Sequence, residues 1–127
     1  MIIGIGCDVV QIPRIKLLVQ ESGERFLKRI FSDIEIELMI DGPNKDSYIA
    51  KRFAAKEAFA KAVGSGIGHR MHFNNIEILK TPDGQPFFSQ KTLLLVGDGI
   101  QAFLSISDDY PIAIAQVVLS THKYTFN

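Results

Sequence analysis

Glu57 and Lys61 lie four residues apart in the stretch 48–68, YIAKRFAAKEAFAKAVGSGIG, and Asp8 follows a short apolar run at the amino terminus. Two carboxylates and a lysine can hold a cation and meet an anion, so their surroundings decide whether chemistry is at stake. On a helix of about 100° per residue, Glu57 has Ala50, Phe53, Ala54, Ala60, Lys61 and Gly64 within roughly 60° of it, while Lys51, Arg52 and Lys56 lie outside that sector. A carboxylate taken out of water costs several kcal/mol unless it is paired or binds a metal. Two readings of Glu57 follow. In one it forms an i,i+4 ion pair with Lys61, worth about 0.2–0.5 kcal/mol on an exposed helix. In the other it is kept inside to bind a cation, with Lys61 beside it to receive an anion.

The element that must position this pair is a helix. Six alanines fall between Ala50 and Ala62, interleaved with Lys56 and Glu57, and Ala, Lys and Glu are good helix formers. Gly64 suits a carboxy-terminal cap. Capping alone does not call for Gly66 and Gly68, and three glycines in five residues allow close approach of backbone or a bulky ligand. The stretch is not a Walker loop, because its glycines follow the helix and no Gly-Lys-Ser/Thr opens one. The element that must position Asp8 is a strand. MIIGIGCDVV alternates, with Ile3, Ile5 and Cys7 on one face and Gly4, Gly6 and Asp8 on the other. Two missing side chains beside a carboxylate leave room for something to lie against that face. The plainer alternative makes Asp8 a helix N-cap or turn residue.

Composition narrows the class. A chain of 127 residues is long enough for one domain, 1–127, with a real core. A hydrophobic share of 46% with 22% charged residues argues against disorder. Fourteen basic and fourteen acidic residues balance, so no general nucleic-acid binder is indicated. Cys7 is the only cysteine, leaving no intrachain disulfide and no cysteine-cluster zinc site. No apolar run approaches the ~18 residues of a membrane span, and no signal pattern opens the chain. The expectation is a cytoplasmic protein without membrane contact.

The remaining chain reads as follows. Pro13 opens a helix whose apolar spacing at Ile12, Ile15, Leu18 and Val19 runs to about Ser22. Arg14, Arg25, Lys28 and Arg29 form either a solvated face or a receiver for an acidic partner. Ser32 and Glu35 make a capping box, and residues 41–46, DGPNKD, a loop. His69 and His72 sit in a polar connection without the acids or cysteines of a zinc site. Ile76, Ile78 and Lys80 alternate with Glu77 and Leu79 as in a strand; a tight turn follows at 81–86, TPDGQP. Lys91–Val96 fits helix or strand. Phe103–Ser107 and Ile112–Leu119 are strands joined as a hairpin across Asp108–Pro111.

These motifs together resemble the holo-acyl-carrier-protein synthase family of 4′-phosphopantetheinyl transferases. The family pattern is a strand ending in aspartate, an Arg-Ile pair, then FxxKExxxKAxGxG; here Asp8, Arg14-Ile15 and Phe53 to Gly66. The likeness continues through RIFSDIE, IEILKTPDGQPF, LSIS and AIAQVV, so it covers nearly the whole chain. It implies an α+β fold, a long central helix packed on a mostly antiparallel sheet. It also implies transfer of 4′-phosphopantetheine from coenzyme A to a serine of apo acyl carrier protein, releasing adenosine 3′,5′-bisphosphate, in fatty acid biosynthesis.

By the same resemblance Asp8 and Glu57 hold a Mg²⁺ ion, and Lys61 meets the pyrophosphate of coenzyme A. The general base is Glu57, Asp8 or Glu35. Gly64 and Gly66 give the cofactor close passage, Arg52 meets its 3′-phosphate, and Gly84 to Pro86 border the pantetheine. Arg14 and Arg25 dock the acidic carrier protein. Relatives assemble as homotrimers with coenzyme A between subunits, and small residues such as Ala113 and Ala115 would permit close packing there. One departure stands out: after Ser-Ile-Ser the family usually carries a histidine near the adenosine-phosphate end, where this chain has Asp108. An ionised aspartate there donates no hydrogen bond and repels a phosphate, so Asp108 is expected to turn toward solvent or a cation such as Arg52.

Overall fold

The computed structural model describes residues 1–68 and 71–122. The architecture is α+β. In chain order it has strand β1 (Ile2–Gln11), helices α1 (Ile12–Ile30), α2 (Asp33–Leu38) and α3 (Lys45–Val63), and a 3₁₀ turn (Phe73–Asn75). Strands β2 (Ile78–Lys80) and β3 (Pro86–Phe88), helix α4 (Gln90–Leu94), and strands β4 (Ile100–Asp109) and β5 (Ile112–Thr121) complete it. The main sheet has the order β1-β5-β4, antiparallel throughout, and β2-β3 form a separate small hairpin.

α3 lies across β1 and β5. Ile49, Ala50, Ala54, Ala55, Ala58, Phe59 and Ala60 are fully covered, as are Ala113, Ala115, Val117 and Leu119 on the sheet. The room left by Gly4 and Gly6 is taken by this helix. A Cβ at Gly4 would run into the carbonyl oxygen of Ala62, and one at Gly6 into that of Ala58. The glycine face of β1 is therefore the seat of α3, and it brings Asp8 beneath the helix's last turns. Ala113 and Ala115, expected at a contact between chains, instead line the floor under α3, where small side chains let helix and sheet approach.

α1 runs past the expected Ser22 to Ile30 and bends at Gly23, whose φ of 48° suits glycine. Pro13 occupies its first turn, and the Ile12 N–H donates to Pro111 O at 2.8 Å, tying α1 to the hairpin tip. That hairpin is tighter than expected, since Asp108 and Asp109 continue β4 and only Tyr110-Pro111 turn. Lys91–Val96 resolves in favour of helix, with Ser89 capping α4 through the Thr92 N–H. The alternation at 76–80 fails at Glu77, which is buried with Ile76 and Ile78 because Ser32 Oγ donates to its carboxylate at 2.8 Å. His72 is exposed; His69 lies outside the described residues. No described helix is long and apolar enough to cross a membrane.

Candidate functional site

Asp8 shares the inner face of β1 with Gly4 and Gly6 and pairs across the sheet with Ala115. Glu57 and Lys61 sit one turn apart on the part of α3 above it. Lys61 Nζ donates to Asp8 Oδ1 at 2.9 Å and to the Cys7 carbonyl at 3.2 Å. Its ammonium is half exposed, while Asp8 is only 15% exposed. The ion pair of this lysine is thus with Asp8 across the helix–sheet boundary, not with Glu57 along the helix. The hydrogen bond from Lys61 to Asp8 raises the lysine pKa above its ordinary value.

Glu57 is half-buried rather than enclosed. Burial pushes its pKa up, and the nearby Asp8 carboxylate pushes the same way, while Lys61 and Arg14 offset part of the shift. A carboxylate whose charge is disfavoured by burial and by a neighbouring acid is what a hard cation relieves. Among the described residues no group of three His, Cys, Asp or Glu could hold a metal. A pair of carboxylates nevertheless suits Mg²⁺, which is usually bound by one or two carboxylates with phosphate and water oxygens filling its octahedron.

The glycines after α3 have a backbone reason. Gly64 (φ 94°) and Gly66 (φ 67°) occupy the left-handed region, and both N–H groups donate back to Ala60 O, at 3.1 and 3.2 Å. Gly66 is therefore part of the cap, contrary to the expectation that capping needs Gly64 alone. The resulting loop leaves the space beside both residues open.

Arg52 and Pro86 belong to a second place. With Tyr48, Lys51, Lys80, Gly84 and Ile106 they line a cavity of about 190 Å³ toward the start of α3. Nine residues of helix separate Arg52 from Lys61, about 14 Å of axial rise. One chain does not bring the two groups together. Arg52 is only 4% exposed, lies over the Tyr48 ring at 4.9 Å, and its Nη1 has no hydrogen-bond partner among the described residues. Burial pulls its pKa down. Asp108 turns to Lys51, Nζ to Oδ1 3.3 Å, rather than to Arg52.

Glu35 cannot serve as a general base. It is 2% exposed and accepts hydrogen bonds from the Ser32 and Ile78 N–H groups, at 2.9 and 3.1 Å. It also accepts from Lys56 Nζ at 2.6 Å, and its burial keeps the carboxylate from reaching a substrate. Lys56, which the helical wheel set outside the Glu57 sector, is wholly buried and also donates to the Ile30 and Phe73 carbonyls. Desolvation pushes its pKa down to about 8 against the pull of Glu35. The available signal was Phe53 and Phe59, both within roughly 60° of Lys56 on the wheel; α3 is covered on more than one side.

Of the docking candidates, Arg14 is exposed and near enough to act on Glu57. Arg25 lines a cavity of about 280 Å³ with Arg29, over an apolar floor of Leu18, Phe26, Phe53 and Phe73. A larger cavity, about 520 Å³, between Leu38 and Tyr48 adjoins the Arg52 cavity through Tyr48 and Lys80. Sequence reading registered the 41–46 part of its wall as a loop and no cavity there.

β1 runs on through Gln11 rather than ending at Asp8, and an antiparallel three-stranded sheet crossed by a helix that sets two carboxylates and a lysine beside this edge strand defines a class. Residues 4–115 match the model of the 4′-phosphopantetheinyl transferase superfamily. The chain belongs to that superfamily and is an enzyme of its transferase class. Within it, the chain is 42% identical over 125 residues to the holo-[acyl-carrier-protein] synthase of Shewanella sp. strain ANA-3, covering 94% of this chain and 98% of that one. Among solved structures it is similar to the holo-(acyl-carrier-protein) synthase of Bacillus anthracis in complex with CoA (3′,5′-ADP), with TM-score 0.83 and 35% identity over 96% and 99% of the two chains. It is likewise similar to that of Helicobacter pylori in complex with coenzyme A, with TM-score 0.79 and 39% identity over 91% and 99%.

Proposed function

We propose that this protein is a holo-acyl-carrier-protein synthase, a single domain over residues 1–127. It moves 4′-phosphopantetheine from coenzyme A to a serine of apo acyl carrier protein, in service of fatty acid biosynthesis. The observation that carries the reading is Asp8, Glu57 and Lys61 meeting at one helix–sheet boundary, with Lys61 held to Asp8 at 2.9 Å.

Asp8 and Glu57 are the residues that would hold Mg²⁺, which when bound supplies charge neutralisation to the pyrophosphate of coenzyme A. Lys61, half exposed and one turn from Glu57, places a second cation where the leaving phosphate gains charge. The carrier's serine oxygen attacks the β-phosphorus, the bond from that phosphorus to the bridging oxygen breaks, and adenosine 3′,5′-bisphosphate leaves. With Glu35 sequestered, the serine proton passes through water to Asp8 or Glu57. The open backbone at Gly64 and Gly66 borders the phosphates. Arg52 receives the 3′-phosphate with its Nη1, which has no partner among the described residues, and Pro86 borders the cofactor in the same cavity.

Because Arg52 and Lys61 stand about 14 Å apart along one helix, a site that uses both takes one from each of two neighbouring subunits. A homotrimer fits this arrangement. The sheet face away from α3 supports it: Ile3, Ile5 and Val9 of β1, Phe103 of β4 and Ile114 of β5 are 39–60% exposed. Arg14 and Arg25 steer the acidic carrier, and the apolar floor beside Arg25 gives it a seat.

The test is incubation with coenzyme A, apo acyl carrier protein and Mg²⁺, followed by mass spectrometry of the carrier. A gain of one phosphopantetheine group that chelator abolishes is expected. An unmodified carrier, with coenzyme A bound or not, refutes the reading.

A further inference from the structure

The small cavity beside the start of α3 gathers three cations and is bordered by an acid. Arg52 contributes a buried guanidinium whose Nη1 is without a partner among the described residues. A buried donor left unpaired calls for an acceptor from outside the chain. Lys80 Nζ lies over the Tyr48 ring at 5.5 Å, on the ring that also carries Arg52. Lys51 lines the same cavity, and its Nζ is 3.3 Å from Asp108 Oδ1. Asp108 reaches it from the inner face of β4, opposite Ala113.

The two members of this pair differ in what they could do for a bound anion. Lys51 is an ammonium on a flexible stem with three donors. Asp108 donates nothing when ionised and opposes an anion near by. Both side chains are about one-third exposed (33% and 35%), so their attraction is screened and weak enough to yield to a stronger acceptor. A phosphate monoester dianion is such an acceptor. Its charge and tetrahedral oxygens can take Arg52 Nη1 and the Lys51 ammonium together.

We propose that Lys51 is a specificity-determining residue of this cavity, supplying a further cation to a phosphate monoester held at Arg52, and that Asp108 sets the affinity by competing with that phosphate for Lys51. The proposal rests on the reading of this cavity as the site of the coenzyme A 3′-phosphate. It locates this chain's discrimination between coenzyme A and 3′-dephospho-coenzyme A in an ion pair between helix and strand.

The experiment measures kcat/KM for transfer from each donor, and donor affinity by calorimetry, in the wild type, Lys51→Met, Asp108→Asn and the double variant. The readout is the ratio of coenzyme A to dephospho-coenzyme A. In Lys51→Met the ratio should fall by about two- to five-fold, the scale of one partly screened ion contact. In Asp108→Asn it should rise by a similar factor, and in the Lys51→Met background Asp108→Asn should lose most of that effect. Equal responses of both donors, or an Asp108→Asn effect undiminished without Lys51, overturn the proposal. A wild type that transfers from both donors equally well, or from neither, overturns the phosphate-site reading itself. A wild type that prefers coenzyme A while the variants keep its ratio overturns only the role of Lys51 and Asp108.

Discussion

Lys61 donates to Asp8 at 2.9 Å across the boundary between α3 and β1, although Glu57 lies one turn before it on the same helix. The consequence is an asymmetric acid pair. One carboxylate is already matched by a cation, and the other carries a pKa raised by burial and by its acidic neighbour. A site of this kind has one carboxylate in need of a positive partner.

Glu57→Gln and Asp8→Asn should each reduce transfer by at least about a hundred-fold, the scale of losing a charged group that stabilises a developing charge. Neither should unfold the protein. The Lys61–Asp8 pair is half in water, and such pairs contribute below about 1 kcal/mol. Glu57→Gln removes a charge that burial disfavours. Activity assays and thermal melts of the metal-free protein check both halves. A variant that melts far lower and keeps its activity would return Glu57 to a purely structural role.

The buried pair should behave in the opposite way. Lys56 and Glu35 are 0% and 2% exposed with Nζ to Oε1 at 2.6 Å, and Glu35→Ala leaves Lys56 without its counter-ion. A loss of about 3–5 kcal/mol of stability is expected. The sign of the pH effect follows from burial, which lowers the Lys56 pKa to about 8 from 10.5. Between those values the unfolded chain holds a proton that the folded chain has released, so this group's contribution to stability rises with pH. Urea unfolding at pH 7.5 and 10 should show the wild type gaining relative to a Lys56→Met/Glu35→Leu variant. A difference between the two that does not change with pH sinks this account.

How much of this was open to sequence reading follows from the same residues. The strand that carries Asp8, the helix that carries Glu57 and the hairpin were legible because each rests on a local pattern: period two, helical spacing, and turn residues of which Tyr110-Pro111 make the turn. Gly4 and Gly6 were legible as space, but not as the seat of α3, since the partner's closeness depends on Ala58 and Ala62 more than fifty residues away. Lys56 was misplaced because a wheel centred on Glu57 assumes one covered side, whereas α3 also packs against α1 and the 3₁₀ turn. Lys51 with Asp108 could not be read, as a pair between a helix and a strand is set by tertiary register. The same holds for the division of Arg52 from Lys61: helical rise separates them, and nothing in local spacing says whether both serve one ligand.

Charge reversal at Arg25 should raise the KM for carrier protein several-fold and leave that for coenzyme A nearly unchanged. Arg25 borders the apolar cavity of Leu18, Phe26, Phe53 and Phe73, which shares no lining residue with the Arg52 cavity. Added salt should weaken carrier binding in the wild type, and less so in Arg25→Glu, because exposed charges are screened. Arg14→Glu should differ, since Arg14 also offsets the raised pKa of Glu57; its variant should lower kcat as well. Steady-state kinetics over a salt series distinguishes the two arginines. Equal effects on both substrates at Arg25 would remove it from the docking surface.

The distribution of site residues along α3 makes a prediction about assembly. Light scattering should give about three times the 14.1 kDa chain mass, as for a closed trimer. The covering of the outer sheet face can be tested at Ile5 and Phe103, which both stand opposite Val118, on either side of β5. Ile5→Lys with Phe103→Lys should give a monomer with little transfer activity. A sharper test mixes two inactive proteins. Glu57→Gln breaks the acid pair, and Lys51→Glu/Lys80→Glu breaks the cationic cavity. If each site takes its acid pair from one subunit and its cavity from a neighbour, free exchange at equal amounts regenerates roughly a quarter of the sites. If each chain holds a whole site, the mixture stays inactive. A fully active monomer, or a mixture without recovered activity after exchange is verified by mass, would place the complete site within one chain.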